Sequence, residues 1–234
     1  MWFFDTPKNY PDMLKKIALT MFFVVMILLF VFSQASEDFS SFLLSISMNQ
    51  KLQVAGIDLY SAFVYIPAIF AVLENMFRLH DRLSDIFLIR YYFDKKIILT
   101  KMLNLLNLSD KTNLINKHNR DKMMSSVFYK YAGYNSPVID QHNIYMALGC
   151  WSWFWIVLDT LAVTVIIGTI FLITIFMLIN FIILICVVAI LLSLLVLLYY
   201  FGCKKYAIFE VEDILSDDKR RIELLNYFNE NLKG

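Results

Sequence analysis

One stretch constrains this chain more than any other. Residues 151–201 hold one carboxylate, Asp159, one side-chain amide, Asn180, and no lysine, arginine, histidine or proline. A buried soluble helix does not run that far without charge. Crossing a bilayer takes roughly 20 apolar residues, at about 1.5 Å per residue over ~30 Å of hydrocarbon. The run therefore reads as two crossings, 151–177 and 181–201, joined by a tight hairpin between Thr174 and Asn180. Trp151, Trp153 and Trp155 mark its entry, and Tyr199, Tyr200 and Phe201 its exit, as interfacial aromatic belts do.

Two further apolar runs precede it. Lys15 and Lys16 lead into the first, 17–33. Basic residues before an apolar run also begin signal peptides, and residues 33–36 offer a small-residue site. The length of the run favours a retained span after a short N-terminal segment, 1–16. Residues 34–56 form an external loop, in which Phe39, Phe42, Leu43, Leu44 and Ile46 suit a short surface helix. The second run, 57–77, carries Asp58 near one end, Pro67 in the middle and Glu74 near the other.

Residues 78–143 are different in kind, with eleven lysines and arginines, six aspartates and a net charge of +5. The spacing of Met76, Leu79, Leu83 and Ile86 predicts that the second span continues as one amphipathic helix to about Phe93. Helices are expected over 97–108 and 110–132, the latter stopped by Gly133. Ser136 and Pro137 are expected to start the helix that enters the third span. The tail, 202–234, is expected to be helical around 218–228, with Ile222, Leu224, Leu225 and Phe228 as its apolar face.

Charge orients the chain. The N-terminal segment, the 78–143 insert and the tail share 20 of the 21 lysines and arginines, and the loop between the first two spans has only Lys51. Positive residues remain in the cytoplasm. The expected fold is an all-α, multi-pass protein of the inner (plasma) membrane with four spans. Both termini are cytoplasmic, and a helical cytoplasmic domain forms from insert and tail.

Ionisable and polar groups at membrane depth are the candidate functional residues, because burying them costs energy unless they are partnered. These are Asp159, Glu74, Asn180 and Asp58. Asp159 has no basic residue in its own span, so it must face the bundle interior, water or another helix. Glu74 has Arg78 four residues on as its expected partner. Asn180 reads as a turn residue and Asp58 as a solvated end. A cytoplasmic basic surface is expected from Arg78, Arg82, Arg90, Lys95, Lys96 and Lys101, facing anionic lipid.

Several function classes lack their residues. No phosphate-binding loop, zinc-protease helix, nucleophile elbow or paired cysteine motif occurs. Asp58 and Asp159 are a formal protease pair but fall near opposite membrane faces. His80, His118 and His142 form no ligand pair at helical spacing, so no metal or cofactor is expected. A net charge of +1 argues against direct nucleic-acid binding. The expected function is a non-enzymatic, homo-oligomeric sensor or effector subunit in contact with lipid and a cytoplasmic protein partner. The alternative is an ion channel or small transporter with Asp159 and Glu74 in the path. In span count and cytoplasmic module the layout is similar to small membrane components of bacterial phage-defence systems, such as the four-span subunit of Kiwa-type systems. That resemblance is one of architecture only.

Overall fold

The computed structural model describes residues 5–47, 51–54, 57–133, 138–174 and 178–232, of which 51–59, 174, 178–180 and 183 are described by backbone alone. The chain is predominantly helical and divides into two compact units. One is built mainly from Pro11–His80 and Ser152–Leu197, the other from Thr6–Tyr10, Asp81–Trp151 and Leu198–Gly234.

The first unit begins with α1, Tyr10–Ala35. Met13, Ile17, Met21, Val25, Leu29 and Ser33 recur every four residues along it and are all buried. That spacing is one face of a helix, so α1 supplies a continuous core stripe. The expected surface helix is α2, Glu37–Ile46, capped where Ser36 Oγ accepts from the Phe39 amide. Phe39 and Leu43 are buried while Phe42 and Ile46 are exposed. The Phe39 and Phe32 rings both contact Phe171, at 5.6 and 4.6 Å between centroids.

The second run does not begin as a helix. Lys51–Val54 (β1) and Ile57–Tyr60 (β2) pair as an antiparallel hairpin, with Gln53 opposite Asp58. The expectation of a span from residue 57 is therefore corrected. Helix α3 runs Ala62–Phe77, through Pro67. It is tethered to the end of α2 where Ala62 N donates to Ser47 Oγ and Tyr65 Oη donates to the Ile46 carbonyl.

The expected uninterrupted helix to Phe93 is also corrected. Arg78 takes left-handed backbone (φ 48°, ψ 66°), and the chain bends by 61° into α4, Leu79–Ile86. Leu88 is left-handed too (φ 54°), and α5, Ile89–Phe93, starts after it. A left-handed residue points the next amides out of the helical register, so each such position ends a helix.

The third run is α9, Gln141–Thr174, and the fourth is α10, Leu178–Leu197. Residues 175–177, where the hairpin turn was expected, lie outside the described residues. A Cβ on Gly168 would meet Leu184 at 2.6 Å, so the missing side chain is what lets α9 and α10 approach there. Among the described residues three helices, Tyr10–Ala35, Gln141–Ile173 and Leu184–Ser216, are long and apolar enough to cross a membrane, or four if the bent α3–α4 pair counts as one span.

The second unit joins insert and tail. After α5 come a π-helical turn, Asp94–Leu99, and α6, Thr100–Leu105. The helix expected over 110–132 is split. Ser109–Leu114 is 3-10, and α7, Lys117–Met123, restarts from a capping box between Asn116 and Asn119. A π-turn, Met124–Phe128, leads to α8, Tyr129–Ala132, which ends at Gly133. The expected start at Ser136 and Pro137 lies outside the described residues. Residues 138–140 are not helical, and Asp140 Oδ1 accepts from the His142 amide at the head of α9.

A third π-turn, Leu198–Cys203, follows α10. It leads to α11, Lys204–Ser216, and then to α12, Asp218–Asn231, capped by Asp217. On α12 Leu224 and Phe228 are buried, whereas Ile222, expected beside them, is exposed. Tail and insert meet through Lys101–Glu212 at 2.9 Å, Lys130–Glu223, and Arg220 Nη1 donating to the Val138 carbonyl.

Candidate intramembrane polar centre

Three of the chain's ionisable groups converge inside the first unit. Glu74 lies in the last turn of α3, His80 is the second residue of α4, and Asp159 lies midway along α9. They are 5%, 1% and 0% exposed. One ligand-type atom from each lies within 4.8 Å of the corresponding atoms of the other two.

The bend at Arg78 makes this possible. In a continuous helix Glu74 and His80 are separated by 600° of rotation, which puts them on different faces. The left-handed residue instead turns α4, and His80 Nδ1 comes to 2.7 Å from Glu74 Oε1. The expected Glu74–Arg78 pairing is thereby corrected. The Arg78 amide still donates to the Glu74 carbonyl at 2.8 Å, but its side chain is exposed while the Glu74 carboxylate is buried against His80. Asp159 reaches the pair from a stretch of α9 that is buried on more than one face, with Ser152, Trp155 and Asp159 aligned at spacings of three and four. The Trp155 ring lies 5.8 Å from His80. Trp155 is a core residue at 4% exposure, so the expected tryptophan belt is not uniformly outward.

Two carboxylates no more than 4.8 Å apart would, if both were ionised, repel by at least roughly 3 kcal/mol at an effective dielectric of 20. A proton or a cation between them relieves that repulsion. Glu74 Oε2 is buried and makes no hydrogen bond to the described residues.

The other candidates are placed elsewhere. Asp58 lies in β2 and Asn180 in the first turn of α10, and the side chains of both fall outside the described set. Of the six residues of the expected basic surface, three make contacts within the chain. Arg90 sits 3.6 Å from Asp81, Lys95 Nζ donates to the Ile115 carbonyl, and Lys101 pairs with Glu212. Arg82 and Lys96 are exposed, the latter over the Tyr92 ring. His118 and His142 are exposed as well.

The second unit has its own buried ion pair, Asp94 Oδ2 to Arg120 Nη1 at 2.7 Å. Burial pushes the Asp94 carboxyl up to about 6, against the pull of Arg120 and Arg90. Nothing in the local sequence signals this pair, because its partners are 26 residues apart on separate helices.

Taken together, these features define a helical protein with several membrane-compatible helices and one buried Glu–His–Asp centre. The chain matches the model of the YmfE protein family over residues 9–230 and belongs to that family. No curated protein and no solved structure matches it.

Proposed function

We propose that this is an integral protein of the inner membrane, with four crossings and both termini cytoplasmic, that acts as a non-enzymatic subunit. In this reading the spans anchor a cytoplasmic helical module, the second unit, which engages a protein partner. The observation that carries it is charge segregation: all but one of the 21 lysines and arginines fall in segments assigned to one side. The ion pairs that knit insert to tail support treating those segments as one module. Self-association is part of the proposal, since only 6% of the apolar window of Leu184–Ser216 is buried within the chain. That surface is left to lipid and to further copies. A role beside the membrane components of bacterial defence systems remains an analogy of layout.

Native mass spectrometry of the protein in nanodiscs tests the reading. A closed oligomer supports an assembled signalling platform. A monomer removes self-association from the proposal.

The alternative, an ion path through Glu74 and Asp159, is favoured by one observation: both carboxylates meet at His80. Proteoliposome flux that is present in the wild type and lost in Asp159→Asn would establish it.

A further inference from the structure

We infer that Glu74, His80 and Asp159 form a binding site for one divalent transition-metal ion. The inference goes beyond the anchoring role proposed above and does not depend on which side the charged module faces.

Three observations carry it. The first is convergence: donors from α3, α4 and α9 meet within 4.8 Å, although they come from positions 74, 80 and 159. The second is the state of Glu74. Its Oε1 faces His80 Nδ1 at 2.7 Å, while its Oε2 is buried and makes no hydrogen bond among the described residues. Buried carboxylate oxygens are normally satisfied, and one left open beside two other ligand-type groups points to a ligand. The third is composition: two carboxylates buried together in an apolar unit favour a positively charged ligand between them.

The donor set selects the kind of ion. Calcium and magnesium favour all-oxygen shells. One imidazole with two carboxylates suits zinc, manganese or ferrous iron, at about 2.0–2.2 Å per bond for zinc. An ion there would be held by Glu74 Oε1 and His80 Nδ1, which lie 2.7 Å apart. Asp159 would supply the third donor. Water or a fourth group completes the shell, as in three-ligand zinc sites. The exposed His118 and His142 lie on separate elements and do not contribute.

The test uses the full chain in nanodiscs, stripped with chelator and titrated separately with Zn²⁺ and Mn²⁺. One ion per chain is expected for at least one of the two metals. Glu74→Gln, His80→Gln and Asp159→Asn should each weaken binding by more than about 10-fold, since even outer-shell losses cost metal sites about 10–100-fold. A variant with all three cysteines replaced by serine should bind as the wild type does. The inference is overturned if neither metal binds stoichiometrically, or if the three substitutions leave affinity unchanged. X-ray absorption on the loaded wild type decides the matter even where a variant fails to fold. A first shell of nitrogen and oxygen is expected. Sulfur in that shell, or a shell without imidazole, contradicts the site.

Discussion

His80 Nδ1 and Glu74 Oε1 lie 2.7 Å apart across a 61° bend whose corner is the left-handed residue Arg78. The pair is buried, so its members are not interchangeable with small apolar groups. Removing the imidazole leaves a buried carboxylate oxygen without its hydrogen-bond partner. His80→Ala should therefore destabilise the protein by about 1–3 kcal/mol. Glu74→Gln keeps an acceptor at Oε1 and should cost about 1 kcal/mol or less. Thermal unfolding in one detergent, followed by tryptophan fluorescence, compares the two. Equal losses would mean that the carboxylate itself matters more than the hydrogen bond.

Two ion pairs in the second unit separate burial from exposure. The Asp94 and Arg120 side chains are 6% and 11% exposed, those of Lys130 and Glu223 51% and 55%. Arg120→Ala should cost about 3–5 kcal/mol, because it removes the hydrogen-bonded counter-charge of a buried carboxylate and leaves only the pull of Arg90. Lys130→Ala should cost under about 1 kcal/mol. Denaturant melts of the two variants side by side give the comparison.

Asp94 also predicts a pH dependence with a definite sign. Its carboxyl is raised from 3.8 to about 6 because desolvation outweighs the pull of Arg120. The folded state thus holds the proton more tightly than the unfolded state. Its contribution makes the protein more stable as pH falls from above about 6 toward 4, by on the order of 2–3 kcal/mol at the limit. Asp94→Asn should remove that slope between pH 7.5 and about 4.5. Unfolding midpoints measured across this window in both proteins check it. A wild type that loses stability over the same window, with an identical slope in the variant, would assign the titration to other groups.

Helix α6 ends in a Schellman arrangement. The Leu108 amide donates to the Leu103 carbonyl at 2.8 Å and the Asn107 amide to the Asn104 carbonyl at 3.2 Å. Asn107 is exposed and sits at φ 58°. Asn107→Gly should be neutral or stabilising by about 0.5–1 kcal/mol. Asn107→Val should cost about 1–2 kcal/mol, since a β-branched side chain is strained in the left-handed region. Equilibrium unfolding of the pair reads the difference.

Much of the architecture was legible in the sequence, because hydropathy and capping are local. The apolar runs of α1, α9 and α10, the stop at Gly133 and the tail helix starting at Asp218 all follow from residues adjacent to them. What escaped depends on tertiary placement or on unusual backbone. Arg78 and Leu88 carry no glycine-like signal, yet both adopt left-handed backbone, so a single amphipathic helix was expected where three short ones stand. The hairpin ending at Tyr60 sits inside an apolar run that reads equally well as a span. Glu74 and Asp159 were singled out separately as polar groups in apolar runs. Their meeting with His80 could not be read, because the bend that brings His80 back is itself invisible in the sequence. Aspartate in α9 needs a partner somewhere, and that was the one signal pointing toward a cluster.

Topology is the most direct test of the account, since both the function and the orientation of the charged module rest on it. In a cysteine-free background, single cysteines at Ser41, Ser109 and Asn229 would be treated with a membrane-impermeant maleimide in intact cells. Ser41 and Ser109 are exposed positions on α2 and at the head of the 3-10 turn. The account predicts labelling at 41 without permeabilisation, and at 109 and 229 only after it. Labelling of 109 or 229 in intact cells, with 41 protected, would contradict it.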